Sequence, residues 1–293
     1  MCNWSSILNE VNASANPALV LQTKRAEFFA KITSITGRNV ITYYSGWLKN
    51  SEAPNTSINE QDKNAFMEVV HQLDRSKGLD IILHTPGGDI AVTESIVGYL
   101  KTMFHKDIRA IIPQISMSAG TMIALSCKSI MMGEQSALGP IDPQMGGIAC
   151  QAVLDEFKDA VEQIKREPSS LGLWQTIISR YTPTFLISCQ NAVKWSEELA
   201  EKWIHDINPS ANFSNIKNVF LNHKHSYSHS RRISKQECKD VGLTIEDLET
   251  NKALQDSVLG LHHCYMIFLD KFNVSKIVEN QRSGCYMQQY SAK

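Results

Sequence analysis

Short apolar runs alternate with amphipathic stretches through the first half of the chain. Four runs, rich in β-branched and aromatic residues or continuously apolar, predict strands: 39–47 (NVITYYSGW), 79–84 (LDIILH), 108–113 (IRAIIP) and 128–133 (KSIMMG). Three segments between them have helical spacing: 60–76, 89–104 and 118–127. Strands that alternate with helices of this length predict βαβ units and a mostly parallel, buried sheet.

The pattern changes near residue 150, after which helical spacing dominates. Helices are predicted over 150–166, 171–187, 190–205, 212–222, 234–240 and 251–272. A basic, histidine-rich stretch, NHKHSYSHSRR, interrupts them, and we expect His223 within it to lie in a solvated loop. The chain therefore combines an α/β first half with a largely helical C-terminal half.

Composition narrows the classes of function. With 293 residues, the chain is long enough for one large α/β domain with helical extensions. A net charge of −1 argues against a nucleic-acid partner. Seven cysteines without a CxxC pair predict neither a zinc ribbon nor a disulfide framework, and Cys127 and Cys264 are expected in the core. Neither a signal peptide nor a membrane span is predicted, so we expect a cytoplasmic protein.

Three junctions between a predicted strand and the segment after it carry the candidate chemistry. They are HTPGGD (84–89), SMSAGTMIAL (116–125) and SALGPIDPQMGG (136–147). Open α/β sheets bind their ligands at the carboxyl ends of the strands. Taken singly, PGG is also compatible with a plain tight turn, and Ser118 with an ordinary helix N-cap. Together, the three junctions favour an active site.

The same three segments resemble the Clp-fold serine peptidases. More narrowly, they resemble the SDH (serine dehydrogenase) proteinase family, which is related to signal peptide peptidase A. The resemblance covers residues 25–245 and includes TGRNVITYYSGW and ISKQECKDVGL. It implies a Clp/crotonase-like fold for a peptidase domain at 25–245. Residues 1–24 would then be an N-terminal extension, and residues 246–293 a C-terminal helical tail.

The resemblance also implies a serine nucleophile and an oxyanion hole. Ser118 is the implied nucleophile. The amides of Gly87 and Ala119 are the implied oxyanion donors, and Gly88 shapes the turn. Ser116 is a rival nucleophile, disfavoured because Ser118 directly precedes the small Ala-Gly pair. This set is chemically coherent, because a serine needs a proton acceptor and the tetrahedral oxyanion needs convergent donors.

The sequence does not decide whether the general base is a histidine or a lysine. Laid over the Clp pattern, Asp142 falls where the family's histidine would be, and His229 lies near the place of the triad aspartate. One hypothesis is therefore an exchanged triad of Ser118, His229 and Asp142, with His225 as the other candidate histidine. Partly buried lysines could serve instead, as in signal peptide peptidases, and the candidates are Lys158 and Lys165.

These observations predict a function and its partners. We expect a serine endopeptidase that cleaves extended or unfolded protein substrates, with no metal or other cofactor. The alternative is a catalytically inactive scaffold or sensor, and an acyl-CoA enzyme of the crotonase fold is disfavoured. Fold relatives form closed rings, so a homo-oligomer is expected. Because no GxxxxGK[ST] segment occurs, an ATPase or regulatory protein would be a separate partner.

Overall fold

The computed structural model describes residues 3–49, 52–223 and 228–291. Its first half contains α1 (Trp4–Ala13), α2 (Pro17–Thr36), β1 (Asn39–Ser45), α3 (Glu60–Val70), β2 (Leu79–His84), α4 (Ile90–Phe104), β3 (Ile108–Ile112), β4 (Ile115–Ser116), α5 (Ala119–Leu125) and β5 (Ser129–Met132). The second half contains β6 (Ala137–Leu138), β7 (Gln144–Met145), β8 (Ile148–Ala149), α6 (Cys150–Arg166), α7 (Leu171–Ile178), α8 (Phe185–Ile207), α9 (Phe213–Phe220), β9 (Ile233–Ser234), α10 (Lys235–Asp240), β10 (Ile245–Asp247), α11 (Lys252–Lys271), β11 (Val274–Asn280) and β12 (Cys285–Gln289).

Asparagine or aspartate side chains cap the first four helices. The Asn3, Asn16, Asn59 and Asp89 side chains each accept a hydrogen bond from a backbone N–H in the first turn of α1, α2, α3 and α4, respectively. Such N-caps satisfy amides that have no partner within the helix. The sequence itself therefore marks the positions at which these four helices begin.

The seven-stranded central sheet is mostly parallel, as the alternating pattern predicts. Its strand order is β10-β5-β3-β2-β1-β11-β12. The strands from β10 to β1 pair in parallel, whereas β11 and β12 form an antiparallel hairpin that joins the edge of β1. Every residue of β1 and β2 is buried, as expected for strands covered on both faces.

Alternate side chains of the strands pack into two separate hydrophobic cores, one on each face of the sheet. In β1, Ile41 and Tyr43 face the core that α3, α4, α5 and α8 cover. Val40 and Tyr44 face the opposite core, which α1, α2 and α11 cover. The period-two alternation of a strand thus produces a three-layer arrangement of helices, sheet and helices.

The two ends of the chain correct the expected organisation. Residues 246–293 are not a helical tail, because β11 and β12 extend the central sheet beyond α11. The apolar pattern of β11 is hidden by Lys276 and Glu279, two charged residues that are buried and paired. The N-terminal segment is likewise part of the fold, since Ile7 and Val11 of α1 are fully buried against the same core as α11. None of the helices in the described ranges is long and apolar enough to cross a membrane.

Candidate active site

The glycine turn between β2 and α4 is held by one short extended segment. Ile58 donates its N–H to the Gly87 carbonyl (2.7 Å), and its own carbonyl accepts from Asp89 N–H (3.0 Å). Ile58 thus forms a parallel bridge with Gly88, whose own N–H is directed away from Ile58. The Gly87 N–H donates to the Thr85 hydroxyl (3.1 Å).

Both positions of this turn require glycine. Gly87 has φ +93°, and a Cβ there would lie 2.7 Å from the Met117 carbonyl oxygen and 2.8 Å from the Ser118 Cβ. Gly88 has φ +156°, and a Cβ there would lie 2.3 Å from the Ile58 nitrogen. Such backbone angles and approaches exclude a side chain. Gly87 therefore lies in close contact with the backbone at the start of α5, and Gly88 with the backbone of Ile58.

Ser118 occupies a strained backbone position at that start. Its φ of 49° and ψ of −117° lie outside the usual regions for a residue with a side chain. A conformation of this kind costs about 1–3 kcal/mol and is typical of functional positions. The Ser118 side chain makes no capping hydrogen bond to α5 and is half-buried. Ser118 therefore occupies the N-cap position of α5, but its side chain does not act as an ordinary cap.

Ser116, the rival nucleophile, is inaccessible. Its side chain is fully buried, and a Cβ at Gly120 would lie 2.4 Å from the Ser116 Oγ. The backbone of Ser116 instead belongs to β4, and its carbonyl accepts from the Thr121 hydroxyl (3.0 Å). Ser116 therefore supports the start of α5 from the interior.

A small three-stranded sheet joins the chain segments that lie next to Ser118, Asp142 and His229 in the sequence. β4 precedes Ser118, and it pairs with β6, which precedes the loop that carries Asp142. β6 pairs in turn with β9, which follows His229. The loop after β6 is further fixed by Thr121, whose hydroxyl accepts a hydrogen bond from the Gly139 N–H (3.1 Å). Segments that are far apart in the chain thereby converge at one sheet.

Asp142 and His229 are in direct contact. A carboxylate oxygen of Asp142 hydrogen-bonds the His229 Nδ1. The Asp142 side chain is 2% exposed and that of His229 is 33% exposed, so the imidazole extends from a buried acid toward the surface. The Ile141 N–H, which donates to the Phe220 carbonyl (2.6 Å), fixes the loop on one side of Asp142.

A second histidine lies on the other side of the same carboxylate. The His223 Nδ1 is 3.4 Å from the second carboxylate oxygen of Asp142, and the His223 side chain is 22% exposed. Assigning His223 to a solvated loop is therefore wrong. The only sequence signal for this contact is the density of histidines in NHKHSYSH, which does not distinguish a paired residue from an exposed one. His225, the other candidate histidine, lies outside the described residues.

The two candidate lysines lie on the exposed face of α6. The Lys158 side chain is 74% exposed and is 3.8 Å from Asp155. The Lys165 side chain is 65% exposed and bonds Glu162 at 2.8 Å. A lysine becomes a useful base when burial destabilises its charged form. Neither residue has that environment.

A cleft of about 640 Å³ opens beside Asp142. It lies between α6, α8 and α9, and its walls are mainly polar, with Gln151, Ser196, Asn215 and Asn218 among the lining residues. Within the described ranges, no group of three or more His, Cys, Asp or Glu side chains could hold a metal ion. The residues of the candidate site carry hydroxyl, imidazole and carboxylate groups, beside the backbone amides of the glycine turn.

Behind the glycine turn lies a buried cluster of histidine and aromatic rings. His84 is fully buried, and its ring centroid lies 4.5 Å from that of Trp47 and 5.3 Å from that of His262. The Tyr44 hydroxyl and the His262 Nδ1 are 3.2 Å apart. Burial lowers the pKa of His262 to about 3, and burial, with His262 nearby, places the pKa of His84 well below 6.5. Both rings are therefore neutral in the folded protein.

One segment of the chain is similar to a known family of serine proteinases. Residues 54–171 match the family described as ClpP-like SDH-type serine proteinases. The match contains Ile58, the glycine turn, Ser118 and Asp142, but it ends before His223 and His229.

Two relatives come from Methanocaldococcus jannaschii. Uncharacterized protein MJ0137 is 35% identical over 106 residues, which is 36% of this chain and 35% of that protein. Uncharacterized protein MJ1495 is 32% identical over 111 residues, which is 38% of this chain and 37% of that protein. The chain thus matches about a third of each relative's length, and neither relative's name assigns an activity.

Proposed function

We propose that this protein is a serine endopeptidase with Ser118 as nucleophile, His229 as general base and Asp142 as the residue that orients the base. The observation that carries the proposal is the contact between the Asp142 carboxylate and the His229 Nδ1. A carboxylate in this position selects the imidazole tautomer whose other nitrogen can accept a proton. The exposed lysines give no comparable support to a serine–lysine mechanism.

Peptide cleavage would proceed in two steps. The Ser118 Oγ attacks the scissile carbonyl carbon while its proton passes to the His229 Nε2, and the carbonyl oxygen becomes an oxyanion. The tetrahedral species collapses, the C–N bond breaks, and His229 returns the proton to the leaving amine. Water then attacks the acyl group on Ser118 with the same base, which releases the carboxylic acid and restores the serine.

Two backbone amides would stabilise the oxyanion. The Ala119 N–H is one, because the first amide of a helix has no partner within it. For the second we choose Gly88 rather than Gly87, since the Gly87 N–H already donates to Thr85 and the Gly88 N–H is directed away from Ile58. This assignment revises the expected role of Gly88 from shaping the turn to donating a hydrogen bond.

The substrate would bind as an extended segment of a protein. An unfolded segment can add alongside the glycine turn as a strand, and the polar cleft beside Asp142 has room for its side chains. A homo-oligomer is supported by exposed apolar side chains on the segment from β8 to α8: Ile148, Val161, Leu171, Leu173, Ile187 and Trp195. A separate ATPase or regulatory partner remains part of the proposal.

A fluorophosphonate probe tests the activity. We expect covalent labelling of the wild-type protein at Ser118 and none in Ser118→Ala. Absence of labelling in folded wild-type protein would favour the scaffold or sensor, and turnover of an acyl-CoA would favour a crotonase-type enzyme. Hydrolysis of an unfolded protein, measured with the same variants, separates true peptidase turnover from reactivity with the probe alone.

A further inference from the structure

A buried ion pair lies on the far side of the segment that holds the glycine turn. Lys276 of β11 and Asp62 of α3 are both fully buried, with 2.8 Å between the Lys276 Nζ and a carboxylate oxygen of Asp62. Two charges buried together give little net stability, because desolvation offsets their attraction. Stability alone therefore does not explain why this ion pair is buried in the interior.

Both members of the pair bond the backbone that flanks Ile58. The Lys276 Nζ donates to the Ser57 carbonyl (2.8 Å), and the Asp62 carboxylate accepts from the Asn59 N–H (2.8 Å). Ile58, between them, bonds Gly87 and Asp89 as described above. A continuous series of hydrogen bonds thus runs from the ion pair, through residues 57–59, to the turn beside Ser118.

We infer that Lys276 and Asp62 are positioning residues, which hold residues 57–59 so that the Gly88 N–H faces the reacting carbonyl. The inference rests on the proposed function for its catalytic consequence. It assigns a role to a residue of the C-terminal hairpin that lies outside the matched family segment at 54–171. Neither residue touches Ser118 directly, so neither is itself catalytic.

The same strand offers a matched control. Glu279 is also on β11 and pairs with Arg25 at 2.8 Å, and both side chains are nearly buried. The partners of Glu279 are Arg25 and Tyr265, which belong to the opposite core. Removing this second pair also eliminates a paired charge from β11, but it removes none of the bonds to residues 57–59.

The test compares two charge-free double variants. Asp62→Asn with Lys276→Met removes the first pair, and the asparagine oxygen can still accept from the Asn59 N–H. Arg25→Met with Glu279→Gln removes the second pair. Double substitution is used because a single change would leave one uncompensated buried charge and could prevent folding. Backbone amide hydrogen exchange and peptide hydrolysis are measured on both variants.

We expect faster exchange at the Ile58 and Asp89 amides in the first double variant only. Its kcat should fall by about tenfold to a hundredfold with an unchanged KM, as when a transition-state interaction is misplaced. Unchanged exchange at these amides overturns the inference, as does the same change in the control variant. A wild-type kcat despite faster exchange also overturns it. If the wild-type protein neither hydrolyses peptides nor reacts with the probe, the proposed function fails, but the exchange comparison still decides the structural role of the pair.

Discussion

Gly87 and Ser118 are packed so closely that no side chain fits between them. A Cβ on Gly87 would lie 2.8 Å from the Ser118 Cβ, well inside van der Waals contact. The turn after β2 and the elbow before α5 are therefore assembled as one unit.

Alanine in the glycine turn should abolish activity. Gly88→Ala would press a methyl group onto the Ile58 backbone and reorient the proposed oxyanion donor, so we expect kcat to fall about a hundredfold or more. We expect a loss of stability of about 1–3 kcal/mol. Probe labelling rates and thermal unfolding measure the two effects.

Gly98 in α4 provides the control for that substitution. A Cβ at Gly98 would meet no atom within 4 Å, and its φ is not one that disfavours side chains. Gly98→Ala should therefore raise stability by about 0.5–1 kcal/mol and leave labelling unchanged. Equal activity in Gly88→Ala and Gly98→Ala would rule out a role for the turn in catalysis.

The strain at Ser118 should be measurable. Ser118→Ala retains a side chain at a positive φ, whereas Ser118→Gly relieves the strain. We expect the glycine variant to be about 1 kcal/mol more stable than the alanine variant, with both inactive. Chemical denaturation of the two proteins gives the difference. A less stable glycine variant would show that the backbone at 118 is not strained.

Assigning His229 as the general base predicts how strongly each of four substitutions lowers kcat. His229→Ala and Asp142→Asn should each reduce kcat by about a thousandfold or more, because both the proton acceptor and its orientation are needed. Lys158→Ala should have no effect, since its side chain is exposed and close to Asp155. His223→Ala should reduce kcat by less than about tenfold, because His223 is 3.4 Å from Asp142 but is not the proposed proton acceptor. Steady-state hydrolysis provides these values, and near-normal activity in His229→Ala would exclude the proposed base.

The buried histidines predict a loss of stability in acid. Below a pH of about 6.5 the unfolded chain protonates His84 and His262, while burial keeps both neutral in the folded state, with the pKa of His262 lowered to about 3. The unfolded state then binds more protons, so the free energy of unfolding falls as the pH decreases. The slope is about 1.4 kcal/mol per pH unit for each such histidine.

The substitution His262→Gln tests this pH dependence. A glutamine can still bond the Tyr44 hydroxyl but does not titrate, so denaturation between pH 7 and pH 4 should show a smaller slope than in the wild-type protein. His71→Gln is the control, because His71 is exposed at the end of α3. An identical slope in the wild type and His262→Gln would show that His262 becomes protonated without unfolding.

Many strands and helices in the first half of the chain could be predicted, because the sequence patterns that specify them are local. Continuous apolar runs such as LDIILH specify strands buried on both faces, and the polar residues Asn59 and Asp89 mark the starts of helices. Cys127 and Cys264, expected in the core from their apolar neighbours, are buried. By contrast, the C-terminal hairpin escaped prediction, because Lys276 and Glu279 conceal the apolar pattern of a strand whose charges are neutralised only by distant partners.

The sequence by itself determined the parallel sheet, the glycine turn and the place of Ser118 at a strand-to-helix junction, since each depends on residues close together in the chain. It left the base undecided between histidine and lysine. Only the tertiary structure brought His229 to Asp142, buried Ser116 and left Lys158 in water. The reason is physical: exposure and pairing depend on contacts between distant segments, here gathered by the small sheet of β4, β6 and β9.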